Sequence, residues 1–283
     1  GEMYKSDFLR ALVSIIVMIQ MFYVAGQLSA GGTLLSGLLD IDYSTAVIAV
    51  TVVTIVYVTL GGLFADVYTS IGQTCLMMFA GVIVFLSGFF FFKGGITEVS
   101  TIIAARDPLL TAVINPKSLH MYSYATVFGV ILIEFAFSGQ PQLLTKILAL
   151  KDPKDMKKMI WTWIVASFCC MLVIFGGLYM LALNPDLQQP DYAVVEYVRA
   201  YFHPIISTLL AVSIVAALMS TACGLLLVMT TCIANDLFIK TLVKRKIINI
   251  PQEKAQRIAF MMTKILPAVF GIICVLMTLH PPQ

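Results

Sequence analysis

Charge is scarce in this sequence. Only 12% of its 283 residues are Asp, Glu, Lys or Arg, while 60% are hydrophobic and the mean hydropathy is +0.95. Soluble domains carry roughly 25% charge, and no water-soluble fold hides this much apolar surface. Histidine is also rare, with three residues, none of them inside an apolar run. No His/Asp/Glu cluster has metal-ligand spacing and no nucleophile–base pair is evident, which argues against a membrane enzyme. The six cysteines (Cys75, Cys169, Cys170, Cys223, Cys232, Cys274) all fall within apolar runs, so they read as small buried hydrophobes, neither a disulfide framework nor metal ligands. A formal net charge of +3 is mild, and the basic residues sit in short loops with no aromatic interleaving, so nucleic acid is not an expected partner. The order of basic, apolar and small residues that marks a signal peptide is missing from the first residues, GEMYKSDFLR.

What the chain has is long apolar runs, and about 20 such residues cross roughly 30 Å of hydrocarbon. Read against helix punctuation, they predict an all-α integral membrane protein with about seven transmembrane helices, at 9–30, 43–60, 64–92, 123–150, 159–183, 205–235 and 258–280. The connections carry Gly31-Gly32 with Asp40 and Asp42, Gly61-Gly62, Lys93 to His120, KDPKDMKK, NPDLQQPD and KRKIINIPQEK. Alternate connections differ in basic content. One set holds Lys5 and Arg10, five lysines from Lys146 to Lys158, and six basic residues from Lys240 to Arg257; the other holds only Lys93, Arg106, Lys117 and Arg199. Basic residues stay in the cytoplasm, so a cell-membrane protein with its N-terminus inside and the C-terminus of this stretch outside is expected, with His120, His203 and His280 on the outer side. The 94–120 connection holds the amphipathic ITEVSTIIAA, either a cap over a cavity or a solvated surface helix. Trp161 and Trp163 open a span beside a basic loop, as interfacial anchors do.

Two mid-span features carry the chemistry. FAFSGQPQ (135–142) lies halfway along a helix that would be about 42 Å long if straight. Pro141 lacks an N–H and Gly139 adds backbone freedom, so the helix should break there. Broken backbone at membrane depth is tolerated only where it is buried in protein or lines a cavity, and Ser138, Gly139 and Gln140 become candidate substrate-binding residues. A proline kink satisfied by neighbours is the plainer alternative. In AALMSTACG (216–224), the Ser220 and Thr221 hydroxyls and the Ala217 carbonyl one turn earlier offer neutral oxygens to a hard cation. Packing hydroxyls bonded back to their own helix are the alternative here. Glu134 sits inside the fourth span, where carboxylates are costly and imply function, either as a proton or cation partner or as a structural acceptor for a neighbouring hydroxyl. Asp66 lies near enough to the cytoplasmic interface to be expected in solvent.

At these motifs the sequence resembles the sodium:solute symporter family, and most nearly its sodium/pantothenate symporter branch. The resemblance runs in order through YVTLGGLFADVYTSIGQ (57–73), SGQPQLLTKILALKD (138–152), AALMSTACGLLL (216–227) and NDLF (235–238). It implies a core of ten helices in two inverted repeats, the LeuT-type arrangement, working by alternating access. It further implies a fragment that lacks the first two core helices and the C-terminal ones. Ala217, Ser220 and Thr221 match the family's sodium ligands, and Gln140 matches the polar residue at the family's helix break. Ser70 departs from the pattern, which has Asp after Thr69, and Glu134 has no counterpart. The expectation is a sodium-coupled symporter of a small organic solute, such as a monocarboxylate or a pantothenate-like vitamin, with the sodium ion and the lipid bilayer as partners and no cofactor. Multi-pass enzyme and structural subunit are the weaker readings.

The charge asymmetry is testable directly. Cysteines introduced at Lys154 and His203 should react oppositely with a membrane-impermeant thiol reagent in intact cells, position 203 labelling and position 154 not; the reverse pattern inverts the orientation.

Overall fold

The computed structural model describes residues 7–118, 120–187 and 189–279. Lys5 and His280, each expected on a particular side of the membrane, lie outside the described residues, as does the side chain of Arg10. Among the described residues there are helices and no strands, and seven helical stretches are long and apolar enough to cross a membrane. The α-helices are α1 (Asp7–Ile19), α2 (Met21–Leu39), α3 (Tyr43–Phe91), α4 (Gly95–Arg106), α5 (Tyr124–Phe137), α6 (Pro141–Leu148), α7 (Met156–Met171), α8 (Ile174–Leu183), α9 (Ala193–Tyr201), α10 (Pro204–Thr231) and α11 (Gln252–Leu279). A π-helical stretch, Cys232–Val243, extends α10.

The chain divides into two compact units, one of residues 1–73 with 214–283 and one of residues 74–213. In the first, Val24 and Leu28 of α2, Val50 of α3, Leu225, Leu226 and Met229 of α10 and Phe270 of α11 form one buried cluster. Hydrocarbon offers no hydrophobic drive for helices to associate, so close packing and polar contacts must supply it. Gly31 and Gly32, expected to end the first span, instead lie buried within α2. A Cβ on Gly32 would lie 2.3 Å from Val47 Cγ2, so the glycines admit α3 to close approach and the span runs on to Leu39. The turn comes later, at Asp40 in the left-handed region (φ 51°), and Asp42 Oδ2 then accepts from the Ser44 and Thr45 amides to start α3. Gly62 breaks α3 with φ 55° and ψ −149°, a conformation open to glycine, so the expected break at Gly61-Gly62 is present.

In the second unit an aromatic seam replaces the aliphatic core. Tyr197 of α9 is fully buried, its hydroxyl 2.7 Å from Ser87 Oγ on α3, and the Tyr179 hydroxyl of α8 donates to the Phe85 carbonyl at 2.9 Å. The helix α9 is not expected from NPDLQQPD and the residues after it; it forms because Val195, Tyr197 and Val198 find buried places. The ITEVSTIIAA stretch does form a helix, α4, but it is not free in solvent. Val99 and Ile103 are buried, and the Arg106 guanidinium donates to the Leu181 carbonyl at 3.2 Å, satisfying an orphan at the end of α8. Beyond it, Asp107 accepts from the Leu109 amide and pairs with Lys117 at 3.1 Å, which together hold its carboxyl below the usual range. The span expected at 159–183 is divided at Leu172-Val173, where the amides of both residues bond three residues back, to Cys169 and Cys170. Trp161 and Trp163 are exposed on α7, as anchors require.

Close approach at Gly81 gives a stability test. A Cβ there would lie 2.0 Å from the Cys169 carbonyl oxygen, backbone that cannot step aside, whereas at Gly177 the nearest atom is 3.8 Å away. Gly81→Ala should cost about 1–3 kcal/mol by overpacking. Gly177→Ala should be neutral or stabilising by about 0.5–1 kcal/mol, as Ala is the better helix former. Melting of the purified protein in detergent distinguishes them; equal effects would remove the packing argument.

Candidate functional site

Each unit holds one of the two candidate motifs. In the second unit the helix expected over 123–150 is divided between α5 and α6, within the stretch expected to break. Ser123 starts α5 with a capping box in which its side chain accepts from the Thr126 amide and Thr126 Oγ1 accepts from the Ser123 amide at 3.0 Å. At the other end the Gly139 and Gln140 amides bond three residues back, to the Ala136 and Phe137 carbonyls at 3.0 and 3.1 Å. Gln140 then turns extended, with φ −62° and ψ 139°, the conformation that a following proline imposes. Pro141 takes the first position of α6, where no amide is needed. The break is therefore made by Gln140-Pro141. Gly139 contributes no left-handed backbone, contrary to the freedom expected of it.

The candidate substrate residues are placed unequally. Ser138 and Gly139 are exposed, and the Ser138 hydroxyl donates back to the Phe135 carbonyl. Gln140 is half-buried and its side-chain carbonyl accepts from the Gln142 amide group. Gln142 is the residue that sequence reasoning missed. It is 8% exposed, and its Oε1 has no hydrogen-bond partner. The signal was present, since Gln142 ends the same FAFSGQPQ motif. Glu134 is exposed, on a helix none of whose 14 residues is buried. The break thus offers amide donors and acceptors and the positive end of α6, a combination suited to a polar solute with a carboxylate.

In the first unit, α10 runs unbroken through 217–221. The Thr221 hydroxyl donates to the Ala217 carbonyl at 3.3 Å, and Ser220 Oγ lies 2.9 Å from Ser70 Oγ on α3. Ala217, Ser220 and Thr221 are all half-buried. Two oxygens about 3.3–3.4 Å apart can both lie about 2.4 Å from one hard cation at a right angle, so the Ala217–Thr221 separation fits a shared ion. The same geometry also describes the back-bonded packing hydroxyl, as Thr54, Ser213 and Thr230 show on their own helices.

Asp66 contradicts its expected place in solvent. It is 2% exposed, with Tyr57 close by, and Tyr57 also adjoins Thr69 and Cys223. On a straight helix Tyr57 and Asp66 would be separated by about 13.5 Å. The helix is bent between them at Gly62, and both Asp66 carboxylate oxygens are closed off from water. Cys223 Sγ, on the α10 side, lies 3.8 Å from the Thr54 carbonyl. A polar seam therefore runs between α3 and α10 inside otherwise apolar spans, and it contains both Ser70 and Ser220. Among the described residues, no group of three or more His, Cys, Asp or Glu is placed to hold a metal.

Comparison with known proteins covers the same residues. The model of the family described as "Sodium:solute symporter family" matches residues 3–282. The high-affinity proline transporter PutP of Bacillus subtilis is 28% identical over 83% of this chain and 50% of that protein. The osmoregulated proline transporter OpuE of the same organism is 25% identical over 98% of this chain and 55% of its own length. The sodium/proline symporter of Salmonella typhimurium is 25% identical over 83% of this chain and 47% of itself. The chain spans about half the length of these relatives. No solved structure matches it significantly. None of these relatives is a pantothenate transporter, so they lend the expected branch no support.

Proposed function

From the premise that this chain belongs to the sodium:solute symporter family, we propose that it is the central part of a longer sodium-coupled symporter of a small carboxylate-bearing solute. The family is one of transporters, and its relatives here are transporters, which sets aside the multi-pass enzyme. The seven apolar helical stretches make it a multi-pass membrane protein. Its coupling ion is sodium, held by the Ser220 and Thr221 hydroxyls and the Ala217 carbonyl, with further ligands supplied by core helices beyond this stretch. The solute binds at the break between α5 and α6, through Ser138, Gly139 and Gln140, with Gln142 behind them. The basic loops face the cytoplasm. Inward and outward states interconvert by alternating access, the two inverted repeats moving against each other.

The observation that carries this reading is the oxygen cluster around Ser220, set inside a span of otherwise apolar residues and joined to a second helix through Ser70. Neutral oxygens suit a monovalent cation, because full carboxylate charge at this depth would be costly without it. The substrate reading is supported by the polar side chains gathered at the break and by the proline transport named for the relatives. Proline is accordingly the first solute to test, ahead of the monocarboxylate and pantothenate-like solutes that sequence resemblance suggested.

Uptake into proteoliposomes containing the full-length protein tests both parts. Labelled proline, lactate and pantothenate should be compared with and without an inward sodium gradient. At least one should enter in a sodium-dependent manner, and proline should lead. Ser220→Ala and Thr221→Ala should each raise the sodium concentration for half-maximal uptake by about 10- to 150-fold, the loss of one charge-assisted contact of roughly 1.5–3 kcal/mol. Apparent substrate affinity should fall at low sodium and recover as sodium is raised, because the two affinities are linked. Unchanged sodium dependence in both variants, at normal yield, would leave these hydroxyls as helix-packing groups.

A second measurement addresses the break. Gln142→Leu keeps the volume but removes the amide that bonds Gln140. It should weaken apparent solute affinity by about 10-fold or more while leaving sodium half-saturation at saturating solute within about 2-fold, on the scale of one buried polar group. No change in either would separate the break from substrate binding.

A further inference from the structure

Ser220 differs from the hydroxyls around it in where its hydrogen bond goes. Those of Thr54, Ser213 and Thr230 each donate to the carbonyl four residues earlier on the same helix. Ser220 instead meets Ser70, 150 residues away in sequence, at 2.9 Å across the gap between α10 and α3. A hydroxyl has one proton and two lone pairs. To serve a cation it must present a lone pair to the ion and direct its proton at an acceptor on another side, since a proton aimed at the ion opposes binding.

Thr221 does not meet that condition as it stands. Its proton points at the Ala217 carbonyl, the other oxygen that faces the ion, and must turn away when a cation arrives. Ser220 does meet it, provided that Ser70 is the acceptor. Ser70 lies one turn beyond Asp66 on the same helix, in the polar seam that the bend at Gly62 creates. We propose that Ser70 is a positioning residue of the coupling-ion site, accepting the Ser220 proton so that a Ser220 lone pair faces the cation. This rests on the reading of Ala217, Ser220 and Thr221 as sodium ligands. Ser70 adds no charge to the site and need not touch the ion. Its contribution is to fix a rotor that would otherwise have to be ordered at the moment of binding.

Binding of sodium-22 to the purified full-length protein in detergent tests this without knowledge of the substrate. Ser70→Ala should raise the dissociation constant for sodium by about 2- to 10-fold, the range of one neutral hydrogen bond, with the amount bound at saturation unchanged. Ser70→Thr, which keeps the hydroxyl, should stay within about 2-fold of the unaltered protein. Ser70→Cys, nearly isosteric with a weak sulfur acceptor, should shift in the same direction as Ala, and it replaces Ala should that variant not be obtained. A lower amount bound with an unchanged dissociation constant would mark Ser70 as a packing contact and overturn the proposal. So would an Ala variant that binds sodium normally while Ser220→Ala binds it weakly, an outcome that leaves the ion site standing. An unchanged dissociation constant in Ser220→Ala, or no sodium binding by the unaltered protein, would remove the ion-site reading and this one with it.

Discussion

Every backbone amide and carbonyl placed in hydrocarbon must find its partner within the protein, because no water is there to take it. That requirement makes the chain helical throughout its described spans, and it also decides where the chain can stop being helical. The interruption at Gln140-Pro141 is tolerable because the carbonyls on one side are used by three-residue turns and because proline brings no amide to the other. The division at Leu172-Val173 is handled by the same short bonds. The end of α8 is served by a guanidinium from α4. Each of these backbone exceptions to regular helix is therefore accompanied by an identifiable substitute partner, whereas the side-chain Gln142 Oε1 beside the break has none.

Side-chain hydroxyls obey the same rule with more freedom. Most of those inside the spans return to their own helix, which satisfies the proton and leaves the helix able to pack as though the residue were apolar. A hydroxyl that crosses to another helix does something different: it ties two elements together and fixes the direction of its own lone pairs. The pairs Ser87–Tyr197 and Ser70–Ser220 are both of this kind. The first is buried among aromatic rings in the second unit and is structural. The second sits beside Thr221 and the Ala217 carbonyl, 3.3 Å apart, and that neighbourhood is the ground for the different role proposed for it.

How much of this is legible in the sequence depends on the range over which each feature is determined. Apolar runs, the break at Pro141 and the bend at Gly62 are local consequences of composition and of proline and glycine geometry, and they stand where expected. Gly31-Gly32 cannot be read correctly from the chain alone. Paired glycines serve equally as a helix end or as a surface for close approach, and only the presence of Val47 and Val50 opposite them decides. The helix α9 is hidden for a related reason, since nine residues with one acidic and one basic member look like loop until Tyr197 is given an aromatic pocket to fill. Asp66 is misplaced when depth along a straight helix is used to judge its exposure, because the helix is bent.

The burial of Asp66 bears on the ion site proposed above. A neutral set of oxygens gains little from a cation in water, because it must replace a full hydration shell with a few dipoles. In a seam closed from solvent the balance shifts, as each dipole acts through a lower effective dielectric. Asp66 lies on the same helix as Ser70, one turn earlier, and is removed from water. On the reading proposed above, the Ser220 and Thr221 hydroxyls and the Ala217 carbonyl would give the coordination its shape, with no carboxylate among the ligands. Ligands without full charge would keep any single contact weak enough for the ion to leave again, which the proposed transport requires as much as binding. Under the same proposal a serine at position 70 has a physical reason, since a hydroxyl 2.9 Å from Ser220 Oγ can orient that group and adds no charge of its own.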